Sequence, residues 1–261
     1  MPTCPIRCAA SLLACAGVLV AADNYSYDDL SKGNDINEGV YGSHGGGEFD
    51  EWRLTLGLAP GIDRIRIKTE VDGAAYPGPA AVENDRVYND PALAPQIGLL
   101  WVLGDFEGPD HGWFYTLGLE YTRRDYTIIY ELGAESQELT LQALTAQVGM
   151  GYAWYMGPSW RYEFEPFVSV GLMWNEMDLI DLASQQPTTE TAPGPVFEGG
   201  IRNALIWHPG SQEWHIGVAV DYRVGYATSS FVANTLNGNV ESKVELNWHG
   251  FGSALFYGHK F

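Results

Sequence analysis

Every second residue is apolar along most of this chain. Trp113, Tyr115, Leu117, Leu119 and Tyr121 alternate with Thr116, Gly118, Glu120 and Thr122. The same period runs through Leu144, Ala146, Val148, Met150, Tyr152 and Trp154, then Trp160, Tyr162, Phe164, Val168, Val170, Leu172 and Trp174. It returns at Trp214, Ile216, Val218, Val220, Tyr222, Val224 and Tyr226. A period of two gives a strand with one apolar and one polar face. Gln96–Gly104, Phe197–Trp207 and Glu241–Phe261 read as further strands. Trp52, Leu54, Leu56 and Leu58 open the series; Ala59-Pro60-Gly61 interrupts it, and Ile65, Ile67 and Val71 resume on the other parity. That step is either a turn between two strands or a bulge inside one, since Gly and Pro mark bulges and a bulge shifts alternation.

Connections alternate in kind. Short ones follow Gly104, Met156 and Trp207; longer or polar ones follow Val71, Leu132, Glu176 and Thr228, with Met177–Pro195 and Ser229–Asn239 expected as loops. A bulge at Ala59-Pro60-Gly61 gives eight strands with both ends on the short-turn side; a turn there calls for ten. The tryptophans favour eight. Trp52, Trp101, Trp113, Trp154, Trp160, Trp207 and Trp214 then form one girdle, with Trp174 and Trp248 in a second belt at the far side. Amphipathic rings at strand ends anchor a β-barrel at membrane–water interfaces. The fold expected is therefore all-β, an eight-stranded antiparallel transmembrane barrel in an up-and-down meander, with ten strands as the alternative. A soluble sandwich would leave long strands exposing Leu, Val and Trp, an aggregation hazard.

The front of the chain sets the compartment. Met1–Ala22 reads as a secretory signal: Arg7 is its one charge, Cys8–Val20 its short apolar stretch, and Val20-Ala21-Ala22 its cleavage site. Leu12-Leu13-Ala14-Cys15 gives a second reading as a lipoprotein box. The three cysteines, Cys4, Cys8 and Cys15, all fall inside this segment, so the mature chain carries no disulfide, reactive thiol or thiolate metal site. Residues 23–50, rich in Gly, Asp, Asn and Ser, are expected to be a flexible periplasmic tail or partial plug, and residues 51–261 the barrel. The net charge is −19, which at long range repels nucleic acid and anionic lipid and disfavours both as partners.

The residues between the lipid-facing ones point inward: Glu120 and Arg124; Arg161, Glu163 and Glu165; Glu198 and Arg202; Asp221 and Arg223. An eight-stranded barrel is just wide enough to be filled by side chains, so interleaved acids and bases predict a charge network that plugs the lumen. A narrow ion path or gate is the alternative. Gly118, Gly149, Gly151, Gly171, Gly217 and Gly225 leave room for long side chains opposite.

The chain's end carries a resemblance. Phe261, with Tyr257, Leu255 and Phe251 at alternate positions before it, resembles the terminal strand of bacterial outer-membrane barrels; His259 departs from that pattern. Among small barrels the chain is similar to the opacity-protein and OmpA-type transmembrane domains. The resemblance implies recognition by the barrel-assembly machinery through Leu255, Tyr257 and Phe261, and no peptidoglycan-binding domain is expected after them. Outer-membrane lipid and lipopolysaccharide are the expected surroundings, and a monomer the expected state.

Enzymatic alternatives find little support. His111, His208 and His215 fall at the short turns, His44 in the tail and His259 beside the terminus. Only His249 shares a strand face with a hydroxyl, Ser253, and four residues along a strand is about 13 Å, too far for direct proton transfer. No catalytic residue, cofactor or metal is expected; His208 and His215 flank one turn but lack a carboxylate pair and read as solvated. A hydrophobic-ligand transporter would need an apolar lumen, against which the inward charges argue, although Phe114, Phe167 and Met173 also face inward. The expected function is a structural or surface-interaction barrel whose outer loops, above all Tyr76–Pro95 and Met177–Pro195, contact an unidentified ligand.

Overall fold

A computed structural model describes residues 48–72, 81–87, 92–105, 111–129, 136–157, 159–180, 187–209, 213–235 and 238–260. The signal segment, nearly all of the expected tail, and Phe261 lie outside them. The elements are β1 (Glu48–Ala59), β2 (Arg64–Asp72), β3 (Ala81–Val87), β4 (Ala94–Asp105), β5 (His111–Ile129), β6 (Ser136–Tyr155), β7 (Trp160–Ile180), β8 (Pro187–Trp207), β9 (Trp214–Thr235) and β10 (Gly238–Lys260). All pairings are antiparallel. A ring of eight runs β1-β4-β5-β6-β7-β8-β9-β10, and β10 pairs back onto β1.

β1 and β2 are one strand line. β1 follows the second half of β10, with Leu58 opposite Ser253, and β2 follows the first half, with Arg64 opposite Asn247 in unbroken register. The Asp63 amide reaches the Asn247 carbonyl at 3.1 Å. Ala59-Pro60-Gly61 is thus an interruption within one strand, which gives eight lines rather than ten, and not a bulge that shifts the pleat. Even-numbered side chains face outward on both sides of it. What changes is the chemistry of the faces. Below the break Leu54, Leu56 and Leu58 face out while Arg53 and Thr55 face in; above it Arg64, Arg66 and Lys68 face out while Ile65 and Ile67 are buried.

The same inversion crosses the neighbouring strands. On β10 the outward face passes from Tyr257, Leu255 and Phe251 to His249, Glu245 and Lys243, while Trp248, Leu246 and Val244 are buried. On β6 it passes from Leu144 to Gln142, with Leu141 and Ala143 buried. An exposed belt of Leu, Val and aromatic residues around a closed ring is matched to hydrocarbon, and a ring leaves no unpaired strand edge there. Above the belt the chain is built like a water-soluble protein, polar outside and apolar inside. The ladders change at that level too. Among the described residues β4–β5 pairing ends at Gln96–Thr122 and β8–β9 pairing at Val196–Ala227. Beyond these points the strands form two four-stranded sheets, β5-β6-β7-β8 and β9-β10-β2-β3. The β8 edge there carries Pro193 and Pro195, which have no N–H to offer a ladder.

Several expectations are corrected. Most of Met177–Pro195 is strand, since β7 runs to Ile180 and β8 starts at Pro187; β9 and β10 likewise reach to Thr235 and from Gly238. Residues 81–87, within the expected Tyr76–Pro95 loop, form β3. Pro and Thr mark these segments, but cross-strand pairing above the membrane holds them extended. β1 begins at Glu48, inside the expected tail. Trp248 belongs to no belt: it is 1% exposed and points inward.

Candidate functional site

The interior is stacked in three levels, set by which inward positions each strand brings to a given height. At the end near the tryptophan girdle is a tetrad of two bases and two acids. Arg53 holds Glu163 through two nitrogens at 2.7 and 2.8 Å and also contacts Glu51; Arg161 reaches Glu51 and Glu163, each at 2.8 Å. All four are buried. Phe256 lies under the Arg53 guanidinium at 5.1 Å.

The middle level is a larger network. Arg202 pairs with Glu165 at 3.2 Å and Gln147 at 3.0 Å, and approaches Asp221 at 4.0 Å. Thr116 donates to Glu165. Arg223 is clamped between Asp221 and Glu120 and comes within 3.9 Å of Glu198. Arg124 donates to Glu198 at 3.0 Å, to Thr122 at 3.0 Å and to the Pro60 carbonyl at 3.1 Å, and stacks on Trp248 at 4.3 Å. Trp248 itself donates to Glu198 at 2.9 Å. Burying charges is costly unless each is paired and its remaining hydrogen-bonding positions are filled; here each guanidinium meets at least one carboxylate. Glycines make room for the long side chains: a Cβ on Gly225 would overlap the Trp248 ring, and one on Gly149 the Glu165 carboxylate.

The third level is the apolar core above the belt: Ile62, Ile65, Ile67, Leu141, Met173, Val196, Phe231, Val244 and Leu246, with Tyr126 against it. Between the first two levels lies a void of about 10 Å³, bordered by Arg53, Thr55, Gln96, Glu120 and Arg202. That is room for about one water molecule.

All nine charged residues singled out from the sequence therefore face inward and divide between two levels: Arg161 and Glu163 sit in the tetrad, the other seven in the middle network. Sequence reasoning missed Glu51, Arg53 and Gln147, and read His215 as a solvated turn residue. Arg53 alternates with Trp52 and Leu54, which was the available signal; Glu51 stood too near the assumed start of the barrel to be read. The girdle residues share one end of the ring. Trp52 lies opposite Trp101 and Trp160 opposite Trp207, while Trp113, Tyr152 and Trp154 pack edge to face. Leu255 and Tyr257 face outward.

His208 and His215, at the turn between β8 and β9, are not solvated, whereas His111 is exposed. His208 is 7% exposed and His215 fully buried, their rings 5.0 Å apart, with His215 3.5 Å from Glu51. Burial, aided by the nearby Arg161 charge, pushes the His208 imidazole down to about 2, so it is neutral at ordinary pH. Among the described residues no group of three His, Cys, Asp or Glu is placed to hold a metal ion. His249 contacts the Asp63 carboxylate on the outer face.

No protein-family model matches the chain, and no curated protein matches it. Similar courses of chain occur among solved structures. The outer membrane protein OprG from Pseudomonas aeruginosa is 12% identical, with 84% of this chain and 97% of that chain covered and a TM-score of 0.40. Neisserial surface protein A is 14% identical, with 82% and 99% covered and a TM-score of 0.32. Ail of Yersinia pestis, solved with the heparin analogue sucrose octasulfate, is 10% identical, with 81% and 99% covered and a TM-score of 0.29.

Proposed function

We propose that this chain is a non-conducting outer-membrane barrel that carries a rigid double sheet on the cell surface for structural or surface contacts. The reading rests on one observation: the interior is closed twice, by paired charges at membrane depth and by an apolar core above it. A water-filled pore needs a continuous polar passage, and the void between the charged levels holds about one water. Both termini face the periplasm in this reading, because the girdle end carries the short turns and outer-membrane barrels put short turns inside. The chain reaches the membrane through the barrel-assembly machinery, works as a monomer, and meets its surface ligand through the extramembrane sheets and the connections between them.

Planar-bilayer recording tests this. The refolded full chain gives no steady single-channel steps in 1 M KCl. Steps of constant size would establish the narrow-pore alternative and refute the sealed interior.

A further inference from the structure

The two charged levels of the interior differ in their balance. The tetrad sets Arg53 and Arg161 against Glu51 and Glu163, two against two. The half-buried Lys260 stands beyond it, where Arg161, Glu51 and Arg53 are the charges that act on it. The middle network sets three guanidinium groups, Arg124, Arg202 and Arg223, against four carboxylates, Glu120, Glu165, Glu198 and Asp221. Arg124 pairs with Glu198. Arg202 pairs with Glu165 at 3.2 Å and stands 4.0 Å from Asp221. Arg223 is left to serve both Glu120 and Asp221. All seven are buried, at the level of the lipid-facing Leu99 and Leu119. One negative charge therefore has no base of its own at a depth where unpaired charge is expensive.

The void between the levels lies against this pair. Glu120 and Asp221 border it, with Thr55 and Gln96. Gln96 is 5% exposed, and its side-chain carbonyl oxygen has no hydrogen-bond partner; a buried acceptor left without a donor is destabilising. Two glycines keep the space free. A Cβ on Gly98 would stand 2.6 Å from the Thr55 hydroxyl oxygen, and one on Gly252 2.5 Å from an Asp221 oxygen. Arg53 and Arg202 also border the void, but Arg53 is held by Glu163 and Glu51, and Arg202 by Glu165 and Gln147.

We propose that this void binds a single sodium ion, with the Gln96 carbonyl oxygen, the Thr55 hydroxyl oxygen and the Glu120 and Asp221 carboxylates as its ligands. Oxygen donors suit a hard cation. The level lacks one positive charge, so a monovalent ion neutralises it and a divalent ion would overshoot. Room for about one water favours sodium over the larger potassium ion. The ion enters as the barrel closes and stays there, a structural ion and not a permeating one. The proposal rests on the sealed interior argued above, whose own test is conductance.

The test is urea unfolding of the refolded full chain in detergent micelles, at fixed pH and ionic strength, in the chloride salts of sodium, potassium or N-methylglucamine. One ion bound by the folded form alone lowers the unfolding equilibrium constant about tenfold for each tenfold rise in sodium above its dissociation constant. Potassium lowers it less, and N-methylglucamine leaves it unchanged. Glu120→Gln removes the excess charge while Asp221 keeps Arg223, and its stability no longer depends on sodium. Gln96→Leu, which leaves every ion pair in place, also flattens the sodium dependence and carries the comparison if Glu120→Gln does not fold. A wild type equally stable in all three salts overturns the proposal and means a proton on one carboxyl, or a water in the void. Sodium dependence undiminished in either variant puts the ion elsewhere and overturns it too. A silent bilayer recording with a sodium-indifferent wild type refutes the ion and leaves the seal standing, whereas steady conductance refutes the seal itself.

Discussion

Removing Arg53 probes the seal where it is most nearly balanced. In the tetrad, Arg53 and Arg161 face Glu51 and Glu163, all buried. Arg53→Met leaves two carboxylates sharing Arg161, one uncompensated negative charge out of reach of water. Breaking a buried pair in this way costs about 3–5 kcal/mol. Replacing both partners, in R53M/E163L, leaves Arg161 with Glu51 and restores neutrality, and such exchanges for apolar residues are close to neutral or stabilising. The double variant is therefore expected within about 1 kcal/mol of the wild type, and the double-mutant cycle gives a coupling of several kcal/mol. Urea unfolding in detergent micelles, followed by the shift between folded and heat-denatured forms on gels, measures each variant. Raising the salt should leave the Arg53→Met penalty in place, since buried charges are poorly screened. A single variant costing less than about 1 kcal/mol, or a penalty that vanishes in 1 M NaCl, would show a hydrated tetrad and refute the dry, sealed interior.

Three further outcomes follow from named residues. A single-tryptophan variant retaining Trp248 resists quenching by brominated lipid, whereas one retaining Trp113 or Trp160 is quenched; efficient quenching of Trp248 would contradict its inward place. Gly225→Val drives a side chain into the Trp248 ring and costs about 1–3 kcal/mol or more, whereas Gly199→Val, whose Cβ would meet nothing closer than 3.7 Å, is tolerated; urea midpoints compare the two. His208 is neutral when folded but titrates near 6.5 when unfolded. Its contribution is therefore fully present above pH 6.5 and is lost as pH falls towards about 2, at about 1.4 kcal/mol per pH unit. His208→Gln removes that share of the acid sensitivity, and an unchanged stability–pH profile in the variant would show a solvated imidazole.

The membrane half of the fold was legible because hydrocarbon enforces a strict rule: every outward residue from Trp113 to Tyr121 must be apolar, and none of the inward ones need be. The same rule misled at Ile65 and Ile67. Their parity looked like a shifted pleat, but the pleat runs on unbroken and the surroundings change instead, as the strand leaves lipid and its inner face packs into a core. Trp248 was misplaced for the same reason, an aromatic residue near a strand end being as good a core filler as an interfacial anchor. Inward charges could be named one by one from alternation, but their partners could not. Arg53 meets Glu163 across more than a hundred residues of sequence, and only the closed ring brings them together. The histidines at the turn between β8 and β9 looked solvated because turns usually are; the tetrad lies directly over this one and shuts water out.

Because lipid-loving and water-loving faces trade places at one level, the wall of this barrel carries its own depth gauge. Sliding the molecule inward by two residues would drag His249 into oil; sliding it outward would lift Leu58 and Phe251 into water. A one-residue slip of β10 along the β1–β2 line would turn both storeys inside out at once. Position along the membrane normal is thus fixed by a boundary written around the wall and not by strand length, which leaves the strands free to extend well past the bilayer, as β7 to β10 do.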